Sequence, residues 1–159
     1  MKPSIDEVIK KYGSCIYAAA FNVCRCREDA EDALQDTLIR FISAKKDYHD
    51  EEHLKAWLLR VAINRAKDLR SSFWRRSKIS WDEYPAELTF VDPSDRSLFE
   101  AVMELPEMYR VTLHLYYYEE YSLREIAGIL DITEGAVKSR LSRGRNTLKK
   151  KLSEDWEDE

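Results

Sequence analysis

Turn formers are scarce: the 159-residue chain holds four glycines and four prolines. An all-β fold reverses direction at every strand and needs more of both, so the expectation is an all-α chain. No apolar run approaches the ~20 residues of a membrane span. The opening thirteen residues place Asp6 and Glu7 where a signal peptide would be apolar, so a cytoplasmic protein without membrane insertion is expected. Cysteine is sparse as well. Cys15, Cys24 and Cys26 are odd in number, and the last two are spaced C-x-C rather than as the paired C-x-x-C of a zinc knuckle. Reduced thiols are the expectation. There is no glycine-rich phosphate loop, no H-E-x-x-H and no G-x-S-x-G. His49 and His53 share i, i+4 spacing, but with His114 they form no ligand set. No catalytic residue, metal or cofactor is therefore expected.

What is present is charge, at 35% of residues, beside 44% hydrophobic residues, a balance that suits a folded helical protein rather than a disordered one. The net charge of -4 hides a segregation. Lys55, Arg60, Arg65, Lys67, Arg70, Arg75, Arg76 and Lys78 share a stretch with Asp68 alone opposing them. Lys138, Arg140, Arg143, Arg145, Lys149, Lys150 and Lys151 share another, opposed by Glu134. Acids dominate between and beyond, from Glu28 to Asp36, from Asp82 to Asp95 and from Glu154 to Glu159. Two basic islands in an acidic chain point to two polyanion contacts, with the acids weakening indiscriminate binding.

Helix signals order the chain. Ser4 and Glu7 have capping-box spacing, and Ile9, Tyr12, Ile16, Ala19, Ala20 and Val23 follow at helical intervals. Further helices are expected over 28–43 and 52–73, the last with Leu54, Trp57, Leu58, Val61, Ala62 and Leu69 on one side. Periodicity fails from Ser77 to Ser94, around Pro85 and Pro93, which reads as a linker. The expected layout is a helical module over 1–76, a linker over 77–95, a second helical module over 96–153 and an acidic tail over 154–159. In the second module a helix over 96–104 stops at Leu105–Pro106, with Pro106 suited to the first turn of the next helix. That next helix carries Val111, Leu115 and Tyr118. Ser122 and Glu125 form a second capping box, Asp131–Ile132 a tight turn, and Thr133 the cap of a final helix over 134–152.

Two short helices joined by about three residues, with Ala127 where the second must pack closely, read as a helix-turn-helix. At ~100° per residue, with Lys138 as zero, Val137, Leu141, Gly144 and Leu148 fall between ~240° and ~300°. Lys138, Ser139, Ser142, Arg143, Asn146, Lys149 and Lys150 fall between ~0° and ~140°. One face buries; the other interleaves cations with hydroxyl and amide groups, the composition that holds phosphates and reads base edges in a major groove.

The stretch from Leu105–Pro106–Glu107 through Tyr121–Ser122–Leu123–Arg124–Glu125–Ile126–Ala127 to Ala136–Val137–Lys138–Ser139–Arg140–Leu141–Ser142–Arg143–Gly144–Arg145 resembles region 4 of extracytoplasmic-function sigma factors. Residues Glu28 to Thr37 resemble the region 2 helix that docks on RNA polymerase, and Lys55 to Asp68 the region 2 segment that opens the −10 element. The resemblances cover most of 5–76 and 97–152, in family order. They imply two helical domains and a subunit that binds core RNA polymerase and directs promoter-specific initiation.

The resemblance also assigns residues. Asp29, Asp32, Asp36 and Arg40 form a stripe on the second helix, and with Gln35 they correspond to the family's grip on the clamp helices of the largest polymerase subunit. Region 4 implies a further contact with the flap of the second-largest subunit. Asn64, with Arg65 and Lys67, corresponds to −10 recognition; extracting a base from the stack costs a few kcal/mol, which a pocket must offset. The loop Lys46–Glu51 is the expected source of that pocket, with Tyr48 and His49 as candidates, while Trp57 reads as core. Lys138, Ser139, Ser142 and Arg143 match −35 contacts, and Arg140 and Arg145 are expected on phosphates. Ser142 departs from the bulkier residue common at that position. The acidic linker resembles those that run through polymerase's RNA channels. Promoter DNA, core polymerase and an anti-sigma factor are the implied partners, and the nucleoid the implied location. A competing reading is a stand-alone helix-turn-helix regulator that binds duplex DNA without polymerase.

Overall fold

The structure, a computed structural model, describes residues 2–44, 48, 50–70 and 96–157, all of it helix and connection without a strand among them. The linker over 77–95, Lys46, His49, Arg75 and Arg76 lie outside the described residues. The chain divides into two compact units, residues 1–84 and 85–159.

In the first unit, α1 (Ile5–Cys24), α2 (Arg27–Ser43) and α3 (Glu51–Leu69) pack pairwise. The Ser4 hydroxyl accepts from the Glu7 N–H at 3.2 Å, the serine half of the expected box. α3 starts one residue earlier than its periodicity suggests, because the Asp50 carboxylate accepts from the His53 N–H at 2.7 Å. Its helix stops at Leu69, short of the expected Phe73. Between α1 and α2 the chain turns on Arg25, in the left-handed region at φ 52°, with its N–H bonded to the Phe21 carbonyl. Ala18, Ala19, Ala20, Ala30 and Ala33 are fully buried; small side chains let the helices meet closely there. At the other end Val8, Tyr12, Ile16, Phe41, Leu54, Leu58 and Ala62 form the core, with Leu34, Leu38, Tyr48 and Trp57 packed against it. Lys2 closes α2: its Nζ donates to the Ala44 carbonyl at 2.6 Å and sits 4.7 Å above the Phe41 ring.

The corner residues Cys24 and Cys26 are free thiols inside this unit. Burial pushes the Cys24 thiol up to about 12 and the Cys26 thiol upward as well, which holds both protonated and unreactive at neutral pH.

In the second unit, α4 (Arg96–Glu104), α5 (Glu107–Leu113), a π-helical segment (His114–Tyr118), α6 (Leu123–Leu130) and α7 (Glu134–Glu157) pack around α7. Pro106 is the residue before α5 rather than inside its first turn. The expected single helix through Tyr118 widens at His114, and the ring of His114 stacks on that of Tyr118 at 4.9 Å between centroids. The Ser122–Glu125 box is complete, at 3.1 and 3.0 Å. α6 ends on Asp131 in the left-handed region at φ 56°, and the Thr133 hydroxyl accepts from the Ala136 N–H at 3.0 Å to start α7. α7 runs past Leu152 to Glu157, taking in most of the expected tail: no glycine or proline follows Leu152 to stop it.

Three buried residues hold α5 against its neighbours. A Cβ at Gly144 would stand 3.1 Å from the Tyr109 Cβ and 3.2 Å from the Leu113 Cδ1, so any larger residue would need these side chains of α5 to give by a few tenths of an ångström. The Arg110 side chain is buried, and its Nη1 donates to the Leu105 carbonyl at 2.7 Å, satisfying backbone at the end of α4. His114 is buried, and burial alone lowers its imidazole from the ordinary 6.5 to about 3. The unfolded chain therefore binds a proton between these values that the folded chain does not. The stability from burying a neutral ring is complete above pH 6.5 and falls as pH drops from 6.5 towards 3, with a slope up to ~1.4 kcal/mol per pH unit. Urea titrations at stepped pH are expected to give a shallower decline for His114→Leu than for the native chain; equal slopes would remove the histidine as the cause.

Candidate functional site

α7 presents the two faces that its sequence describes. Val137 and Leu141 are buried, at 0% and 2% exposure, and Gly144 is against α5. Lys138, Ser142, Arg143, Asn146, Lys149 and Lys150 are exposed; Ser139 and Arg140 are half-buried at the margin. The helix starts after a capped turn, so its first residues are the ones a groove would meet. Arg145 is engaged within its own unit. Its Nε donates to the Tyr117 hydroxyl at 2.6 Å, and its guanidinium carbon lies 5.4 and 5.5 Å from the Tyr117 and Tyr116 rings. The expected free phosphate contact at this position is thus a cation already braced by two tyrosines of the π-helical segment.

On α2 the acidic stripe is shorter than its sequence suggests. Asp29 is 1% exposed: just after the reversal at Arg25 it faces the unit's interior with Ala30, while Arg27 and Glu28 beside it are exposed. Asp32, Gln35 and Arg40 are exposed and Asp36 is half-buried. Two residues that the charge pattern concealed lie among them: Ile39 and Ile42 are 54% and 60% exposed. Helical spacing contains the signal, since from Asp29 they fall at ~280° and ~220°, beside Asp32 and Gln35 and away from Ala30 and Phe41.

α3 carries the −10 candidates. Asn64 is exposed and Lys67 half-buried. Arg65 is paired across to α2: its Nε donates to Asp36 Oδ2 at 2.6 Å, which raises the guanidinium's already high pKa. Two residues assigned to different surfaces therefore share one ion pair.

Tyr48 is drawn inward. Its ring stacks on Phe41 at 6.3 Å, lies 5.7 Å from both His53 and Trp57, and packs on the core. Tyr48, Asp50 and Glu51 line one side of a cavity of about 310 Å³ whose other side is Val8, Lys11 and Tyr12 of α1. The Tyr48 hydroxyl is buried with no hydrogen-bond partner among the described residues, and burial pushes its pKa up. Trp57 is half-buried core, as expected. Among the described residues no group of histidine, cysteine and acid side chains is placed to hold a metal, and no helix is long and apolar enough to cross a membrane.

Comparison with known families decides between the two readings. Residues 8–77 match the model of sigma-70 region 2, and residues 95–148 match that of sigma-70, region 4. The chain belongs to the extracytoplasmic-function sigma factors of the sigma-70 family. The ECF RNA polymerase sigma factor SigM of Bacillus subtilis is 31% identical, over 92% of this chain and 93% of its own. The ECF sigma factor SigE of Mycolicibacterium smegmatis is 28% identical over 95% of this chain, which spans 62% of that relative's length. Among solved structures, the sigma factor RpoE of Bartonella quintana, in complex with the anti-sigma factor NepR, has a TM-score of 0.71 at 24% identity. It covers 93% of this chain and 96% of its own. CnrH, in complex with the cytosolic domain of CnrY, has a TM-score of 0.69 at 22% identity over 95% and 88%. These two likenesses concern the fold. The sigma factor directs promoter-specific transcription by RNA polymerase, and the stand-alone regulator is not favoured: it has no use for a region 2 module.

Proposed function

We propose a division of labour within this sigma factor. The region 2 module, 1–76, docks through Asp32, Gln35, Asp36 and Arg40 on the clamp helices of the largest polymerase subunit, with Asp29 supporting the turn beneath them. Asn64, Arg65 and Lys67 of α3 meet the −10 strand, and the cavity behind Tyr48 receives a base lifted from the stack; its 310 Å³ is at the small end of the ~300–1,000 Å³ usual for ligand sites. The region 4 module, 96–153, contacts the polymerase flap and sets α7 into the major groove at the −35 element. There Lys138, Ser139, Ser142 and Arg143 face bases, and Arg140 and Arg145 face phosphates. The resemblance alone gives His49 a role in −10 recognition and the linker one in the RNA channels; both lie outside the described residues. The protein works in the cytoplasm at the nucleoid. The likeness to two chains solved with anti-sigma factors supports control by such a partner.

The observation that carries this reading is the separation of faces on α7, apolar residues inward and Lys138, Ser142 and Arg143 exposed. Arg143→Ala is expected to lose ~1–3 kcal/mol of discrimination at one −35 base step, a roughly 5- to 150-fold flattening of promoter ranking. Run-off transcription from a promoter library with bacterial core enzyme reads it; an unchanged ranking would take Arg143 out of base recognition.

A further inference from the structure

Asp36 belongs to the docking face of α2 and Arg65 to the DNA face of α3, yet they form one ion pair, Nε to Oδ2 at 2.6 Å. The pair uses one of the five N–H donors of the guanidinium. The other four, on the two terminal nitrogens, make no hydrogen bond among the described residues. Both side chains remain substantially exposed, at 42% and 37%. Asp68 on α3 itself and Asp32 on α2 add negative charge around the same cation.

A guanidinium anchored through Nε alone leaves its two terminal nitrogens available, and that pair of nitrogens matches the oxygens of a phosphodiester. We propose that Asp36 is a positioning residue for promoter opening: besides facing polymerase, it aims Arg65 at a backbone phosphate of the single strand over α3. The inference rests on the docking and −10 reading above and adds to it a link between the two surfaces. Whatever fixes Asp36 in the assembled polymerase also fixes Arg65, so assembly and strand capture are coupled through one carboxylate.

The test uses full-length chain with bacterial core RNA polymerase, the core in excess sufficient to saturate every variant, and a labelled single-stranded DNA of random sequence as probe. Binding is read across a salt series by anisotropy, with core alone as background. A lost phosphate contact lowers the log–log salt slope by ~0.7 for single strands. Arg65→Ala and Asp36→Asn are each expected to lower the slope by about that amount and to weaken binding about three- to tenfold at low salt. The double variant is expected to lose no more than either single variant, and Asp36→Glu to restore most of the loss. Melting temperatures are expected to stay level, because a half-exposed pair contributes little to stability. Additive losses, or an Asp36→Asn holoenzyme with the native slope, would overturn the positioning role while leaving docking intact. Failure of the native chain to join core enzyme would remove docking and the coupling together.

Discussion

Assembly with core RNA polymerase is expected to weaken by more than about 100-fold when Asp32 and Asp36 are both replaced by lysine. These carboxylates sit on the exposed side of α2, beside Gln35 and the uncovered Ile39 and Ile42. A surface with an acidic rim around apolar side chains loses more by charge reversal than by truncation, since two attractions become two repulsions as the partner's water is stripped away. Asp36→Lys also places a cation beside Arg65, its former partner. The fold is expected to survive, because the one ion pair lost is half-exposed and such pairs contribute ~0–1 kcal/mol. Co-purification with core enzyme, paired with circular dichroism, separates the outcomes. Normal recovery of a folded double variant would place the docking surface elsewhere.

Arg110→Ala is expected to destabilise the second unit by ~3 kcal/mol. The loss has two parts. Truncation leaves a cavity in the volume of a large side chain that is 2% exposed. It also strands the Leu105 carbonyl, which accepts from Nη1 at 2.7 Å. Arg110→Met fills the space without donating, so it is expected to fall between native and alanine. Hydrogen exchange of α5 and α7 amides in the full chain measures the effect within the unit concerned. Alanine within ~0.5 kcal/mol of native, the range of an ordinary surface change, would show that neither the filled volume nor the hydrogen bond supports the unit.

Much of this molecule is legible in its sequence, because the signals are local. The faces of α7 follow from angle alone, and the caps at Ser4, Ser122 and Thr133 from residue type and spacing. The family resemblance added the roles that geometry lacks. What escaped was set by contacts distant in sequence or by burial against expectation. Arg110 reads as a surface cation until α4 and α5 meet around it. Asp29 shares its helix angle with Asp32 and Asp36 but, just after the corner at Arg25, faces inward. Arg65 and Asp36 are 29 positions apart, and no periodicity joins them. The resemblance expects Arg145 on phosphate but gives no sign of Tyr117, 28 positions away, and its neighbour Tyr116, which brace it. The widening at His114 interrupts a pattern that Val111, Leu115 and Tyr118 satisfy as an ordinary helix.

The most direct measurement is run-off transcription with purified bacterial core RNA polymerase on a pooled promoter library, with and without the full chain, start sites being mapped by sequencing. Addition of the chain is expected to create a discrete set of start sites sharing one −10 and one −35 pattern, all lost with the Asp32→Lys, Asp36→Lys double variant. A start-site distribution identical with and without the native chain would contradict its action as a promoter-specificity subunit.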